Sequence, residues 1–167
     1  NYTNKCLPLK QSLGLENKFV CLYAGKLGGI YLDDEIADFI SSAYRMLGDK
    51  FRFLLLTSSS TEDFMDRLSF LKVPPCAILV KLVPHSDMPL WMSLADFAIN
   101  PVKPVATKRH CTSIKDGEYW ACGLPVVIPN NISDDSSIIR NYDIGYVLES
   151  LCDNEYNNAI KKILDLQ

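Results

Sequence analysis

The chain has 167 residues, 48% of them hydrophobic, with 17 basic and 20 acidic side chains and a formal net charge of −3. A chain of this size hides roughly 70% of the surface it exposes when unfolded, enough for one compact domain with no room for a second of ordinary size. The acidic balance argues against a general polyanion binder, because nucleic-acid-binding domains carry a basic excess or a basic stripe. No apolar run approaches the ~20 residues that cross a bilayer. Starting at Asn1, with neither methionine nor a signal peptide, the chain is expected to be a piece of a longer protein.

Residues 1–18 are polar and punctuated by Pro8 and Gly14, which reads as a linker with one short helical turn. From Phe19 the pattern becomes a regular alternation of short apolar strands and amphipathic helices. Phe19–Ala24 is continuously apolar, as a strand covered on both faces should be. The glycine-rich stretch Gly25-Lys26-Leu27-Gly28-Gly29 follows. A helix then opens at Asp33 and Asp34, whose carboxylates suit its free N–H groups, and Gly48 ends it. Ile36, Phe39, Ile40, Ala43, Tyr44 and Leu47 form its 3.6-residue apolar stripe.

A second strand is expected at Phe51–Thr57 and a helix from about Thr61, stopped by Pro74 and Pro75. Ala77–Lys81 reads as a third strand, Asp87–Ala95 as a helix and Asp96–Asn100 as a fourth strand. Residues 101–113 form a polar loop before a helix at about Ile114–Cys122, which Gly123 closes. Strand Pro125–Ile128, a helix near Asp134–Asn141, strand Gly145–Leu148 and a helix from about Asp153 complete the series. Six strands alternating with helices give an α/β, Rossmann-like, three-layer domain over residues 19–167. Ligands of such a sheet bind at the carboxyl ends of its strands, so the loops 25–32, 57–60, 81–87, 100–113 and 128–134 are the places to look.

The six cysteines, Cys6, Cys21, Cys76, Cys111, Cys122 and Cys152, form no CxxC pair. They read as buried free thiols of a cytosolic protein. Cys111, Cys122, His85 and His110 fit no common zinc spacing.

Two loops carry charge suited to phosphate. In 25–29 the glycines let the backbone approach a ligand and Lys26 adds a cation, although GKLGG matches neither the dinucleotide fingerprint nor a Walker A sequence. A tight strand-to-helix turn alone would also call for these glycines. Loop 100–113 brings Lys103, Lys108 and Arg109, then Thr112 and Ser113 directly before a helix start, with Lys115 in its first turn. A helix amino end carries about half a positive charge, so a lysine there is unfavourable unless an anion shares the site. A solvated basic loop with a serine cap is the plainer reading of the same residues.

The stretch Lys115-Asp116-Gly117-Glu118-Tyr119-Trp120-Ala121-Cys122-Gly123-Leu124-Pro125-Val126-Val127 resembles the signature of family 4 (group 1) glycosyltransferases, with an acid five positions before the glycine of a GxPVV run. Tyr23–Gly29 resembles that family's first strand and phosphate loop, Ser93–Phe97 its helix-to-strand junction, and Gly145–Leu148 its late glycine-aromatic-aliphatic strand. The likeness spans residues 19–148.

The resemblance implies the donor-binding, C-terminal half of a GT-B fold. Glu118 would then hold the ribose hydroxyls, and Lys26 and Lys115 would contact the donor diphosphate. Thr112, Ser113 and Ile114 would offer hydroxyls or N–H groups to phosphate and sugar. Gly25, Gly28 and Gly29 would form the phosphate loop, while Leu82 and Val83, with Pro84, would hold the base. Many family members carry a second acid eight residues before the ribose glutamate; His110 stands there.

The resemblance further implies a retaining, metal-independent hexosyltransferase with no cofactor beyond its UDP- or GDP-linked sugar substrate. It implies a glycan or lipid-linked acceptor on a missing N-terminal lobe and a bacterial surface-polysaccharide setting. A cytoplasmic location follows, with peripheral membrane association of the full-length protein and no nucleic-acid partner. Other classes left open are a flavodoxin- or response-regulator-like signalling module and a dinucleotide-dependent oxidoreductase.

Overall fold

The computed structural model describes residues 3–110 and 112–167, and the side chains of all these except residues 3–6 and 109. Six strands form one sheet: β1 (Phe19–Ala24), β2 (Phe51–Leu56), β3 (Ile78–Lys81), β4 (Phe97–Ile99), β5 (Val126–Pro129) and β6 (Gly145–Leu148). Their order is β3-β2-β1-β4-β5-β6, and every pairing is parallel. The chain winds outward from β1 through β2 and β3, then returns to β4 on the other side of β1. That reversal opens a crevice between the loops that follow β1 and β4.

Alternation along the strands divides the core in two. Cys21, Tyr23, Phe53, Leu55, Phe97 and Ile99 face one side, where α2 (Asp33–Leu47), α3 (Glu62–Phe70) and α7 (Asp153–Asp165) cover them. Val20, Leu22, Ala24, Leu54, Leu56, Ala98, Val126 and Ile128 face the other. There α4 (Met88–Met92), α5 (Ile114–Ala121) and α6 (Asp135–Tyr142) pack with Leu94 and Ile132. Fully burying a side chain of this kind contributes about 1.5–3 kcal/mol, so both layers are needed to hold the sheet. At the start of β6, a Cβ on Gly145 would lie 2.0 Å from the Val126 carbonyl oxygen, so only glycine lets β5 and β6 approach.

Three expectations need correction. Where the sequence reads as a linker with one turn, Thr3–Ser12 forms a ten-residue helix, α1, despite Pro8. Leu9 and Leu13 pack into the core beside α4, so tertiary burial outweighs the weak local pattern. Asp33 and Asp34 do not cap α2: Leu32 holds the cap position, and the acids lie in the first turn, where the helix dipole favours them. The thiols are not uniformly buried, since Cys21 is enclosed while Cys76 and Cys152 are exposed; Cys111 and the side chain of Cys6 lie outside the described residues. No described helix is long and apolar enough to cross a membrane.

Candidate functional site

The crevice is organised by α5. Tyr119 is fully buried on its inner face, and its hydroxyl oxygen accepts the Ala24 N–H at 3.0 Å. This contact ties α5 to the tip of β1. One turn earlier on the same face, Lys115 reaches the loop after β1: a Cβ on Gly25 would lie 2.7 Å from Lys115 Cε. Gly25 is therefore glycine because a lysine side chain crosses it. The Lys115 ammonium donates to the Tyr31 hydroxyl and lies 4.2 Å from the centroid of that ring.

The loop itself is fixed from below. Gly25 N–H donates to Leu56 O at 2.9 Å, and Leu27 N–H to Ser59 Oγ at 3.2 Å. The Tyr23 hydroxyl donates to Lys26 O at 2.7 Å, and the Lys26 side chain is left exposed.

Two cavities meet beside this loop. One, of about 260 Å³, is lined by Gly25, Lys26, Thr57, Leu82, Val83, His85 and Met88, among others. The other, of about 370 Å³, runs between α4 and α5 and includes Glu118, Met92, Ser93 and Cys122 in its wall. His85 and Met88 line both, so the two are neighbours. Glu118 is exposed at this opening, three residues beyond Lys115. Lys26, Lys115, Glu118, Gly25, Leu82 and Val83 are thus brought to one end of the sheet.

Thr112, Ser113 and Ile114 sit on the other flank of Lys115. With Lys108 and Tyr31 they line a third cavity of about 240 Å³. Ser113 occupies the cap position of α5 without a side-chain capping bond. Its Oγ instead accepts Asn100 Nδ2–H at 2.8 Å, and its N–H donates to Asp135 Oδ2 at 3.0 Å.

Gly28 and Gly29 are carried away from Gly25. Both take left-handed backbone, with φ of 84° and 66°. Gly28 lines a polar cavity on the α2–α3 side with Asp33, Asp63 and Arg67. Gly29 O accepts Lys103 Nζ at 2.8 Å, so that loop cation is already engaged. His110 is exposed at the end of a 3-10 turn, Ala106–His110, and lies in the wall of none of these cavities. The side chain of Arg109 lies outside the described residues.

Beneath the amino end of α5 lies a polar cluster that sequence reasoning missed. Asn100, Asp116 and Asp135 are all fully buried. Asn100 Nδ2 donates to Asp116 Oδ1 at 2.7 Å as well as to Ser113. Burial pushes the Asp116 carboxyl up to about 7; the Asn100 bond and Lys115 act the other way, and the neighbouring Asp135 carboxylate raises it further. Asn100 stands at the carboxyl end of a parallel strand, which was the available signal. Asp135, which joins the cluster from α6 through the Ser113 N–H, is visible only in the fold.

A central parallel sheet with this order, helices on both faces and a crevice at its strand tips is a Rossmann-like α/β fold. Solved structures carry the same fold. WaaG, a glycosyltransferase involved in lipopolysaccharide biosynthesis, superposes with a TM-score of 0.76 at 19% identity, covering 93% of this chain and 40% of WaaG. Anabaena HepE in complex with UDP-glucose gives 0.77 at 15% identity over 97% of this chain and 43% of its own. S. aureus TarM, in a complex that includes UDP, gives 0.71 at 10% identity over 89% and 29%. The chain therefore spans less than half the length of these proteins. No family model matches the sequence, and no curated protein is significantly similar to it.

Proposed function

We propose that this chain is the donor-binding lobe of a retaining, metal-independent glycosyltransferase of the family 4 type, acting on a UDP- or GDP-linked hexose. The observation that carries the reading is the convergence of Lys115 on Gly25 at the strand tips, with Lys26 in the same loop and Glu118 one turn along α5. In this reading the diphosphate lies against Lys26, Lys115 and the amino end of α5. The ribose hydroxyls reach Glu118, and the base enters the cavity beside Leu82, Val83 and His85. HepE in complex with UDP-glucose and TarM with UDP support a nucleotide-sugar ligand for a fold of this kind.

Breaking the bond between the anomeric carbon and the diphosphate leaves negative charge on the departing oxygens. Fixed ammonium groups and helix N–H groups stabilise that charge without reorganising, and a metal is not required for it. Thr112, Ser113 and Ile114 offer hydroxyl and N–H donors on the sugar side, and His110 lies beyond them as a candidate sugar contact. The acceptor, a glycan or lipid-linked sugar in bacterial surface-polysaccharide synthesis, and any catalytic base belong to a second lobe. The isolated chain then binds donor without transferring sugar.

Calorimetric titration with UDP, GDP, ADP and NAD, with and without a chelator, tests the reading. Binding of UDP or GDP that is unaffected by chelator supports it. Binding of NAD alone points to an oxidoreductase domain, and binding of Mg²⁺ without nucleotide to a signalling module; either result rejects the transferase.

A further inference from the structure

We propose that Asp116 and Asp135 share one proton and, through Asn100 and Ser113, position the amino end of α5 as a donor to the nucleotide sugar's diphosphate. The inference rests on the donor-binding reading above and adds Asp116, Asp135 and Asn100 to that site as positioning residues.

The hydrogens can be counted. Asn100 Nδ2 carries two; one goes to Asp116 Oδ1 at 2.7 Å and the other to Ser113 Oγ at 2.8 Å. Ser113 Oγ is thus an acceptor toward Asn100, and its own hydrogen must point elsewhere. Its side chain opens on the cavity shared with Thr112 and Lys115. Asp135 Oδ2 accepts the Ser113 N–H at 3.0 Å. Among the described residues, Asp116 Oδ2 and Asp135 Oδ1 are left buried without a donor. The two side chains lie within hydrogen-bonding reach of each other. A proton on Asp116 Oδ2, donated to Asp135 Oδ1, satisfies both atoms at once.

Two ionised carboxylates in a site with no solvent exposure would be strongly unfavourable, so one proton between them is the stable arrangement. The single remaining charge sits at the amino ends of both α5 and α6, where helix dipoles favour it. The titratable groups bearing on Asp116 are Asp135 on α6, and Lys115 and the buried phenol of Tyr119 on α5 itself.

Loss of the shared proton adds a second negative charge behind the diphosphate position and draws on Lys115. Donor affinity must then fall as pH rises through the Asp116 titration. One extra charge several ångströms away, at an effective dielectric intermediate between protein and water, weakens binding about tenfold.

Affinity for UDP-glucose and GDP-mannose, measured from pH 6 to 8.5, tests this, because their esterified diphosphates keep a constant charge over that range. Asp116→Asn places an amide where the protonated acid stood: its oxygen accepts from Asn100 and its NH₂ donates to Asp135. The wild type should lose about tenfold in affinity across the range. The variant should bind as the wild type does at pH 6 and stay within twofold of that value throughout. An equal slope in both proteins overturns the proposal, as does a variant that binds poorly at pH 6.

A ligand-free arm separates the two readings. Urea stability of the wild type should decline relative to Asp116→Asn as pH rises from 5 to 8; parallel curves overturn the shared proton. If neither protein binds UDP-glucose, GDP-mannose, UDP or GDP, the donor reading fails, and with it the positioning role, while the urea arm still decides the proton. Should the variant not fold, carboxyl carbon shifts of the wild type read the same titration. An aspartate titrating above pH 6 supports the pair, and all aspartates titrating below pH 5 overturns it.

Discussion

The hydroxyl of Tyr119 and the backbone of Ala24 form one buried joint, with the Ala24 N–H donating to the phenol oxygen at 3.0 Å. Through it, the helix that carries Lys115 and Glu118 is registered against the strand that delivers Gly25 and Lys26. Tyr119, inside the Glu118–Cys122 stretch, is therefore a structural link between two halves of the crevice.

Replacing Tyr119 with phenylalanine should leave the Ala24 N–H buried without that acceptor, at a cost of about 1–3 kcal/mol. Urea denaturation reads this directly. An unchanged midpoint would mean that the joint contributes nothing.

Gly25→Ala should fold and bind nucleotide poorly. The new Cβ would meet Lys115 Cε at 2.7 Å and the Tyr23 hydroxyl at 2.9 Å. Lysine can swing aside more easily than the enclosed tyrosine, so the lysine is displaced from the loop. Retained far-ultraviolet circular dichroism with at least tenfold weaker UDP binding is the expected pair of results.

Lys26→Ala and Lys115→Ala each remove one proposed cation from the diphosphate. A hydrogen bond to a charged group is worth about 1.5–3 kcal/mol, so each variant should weaken UDP binding about ten- to hundredfold. Calorimetry on the two single variants checks it. Equal affinity to wild type in either protein removes that lysine from the site.

Glu118→Ala separates ribose from phosphate. It should weaken UDP about tenfold or more and leave the affinity for inorganic pyrophosphate unchanged. A parallel loss for both ligands would mean that Glu118 acts on the fold of α5 rather than on the sugar hydroxyls.

The strands were legible because each is a short apolar run bounded by turn residues, and Phe19–Ala24 and Gly145–Leu148 fall where expected. Helix α1 was not, because Pro8 and its polar residues hide a helix made by packing against α4. Among the proposed site residues, Lys26, Lys115 and Glu118 could be singled out in the sequence because each follows a strand tip or recurs along one helix. The partners that hold them could not. Tyr31 is placed by an antiparallel bridge to Val102. Asp135 reaches the Ser113 amide only because α6 packs beside α5 on the same face of the sheet. Such pairings join residues far apart in sequence, and no local pattern records them. Gly28, which reads as one loop with Gly25, lines the cavity on the α2–α3 side instead.

The most direct test is a crystal structure of this chain with UDP bound. The diphosphate should lie within hydrogen-bonding distance of Lys26, Lys115 and the first turn of α5, with the ribose hydroxyls donating to the Glu118 carboxylate. UDP seated in the acid-lined cavity beside Gly28 and Asp33, or a ribose that leaves Glu118 in solvent, would contradict the account.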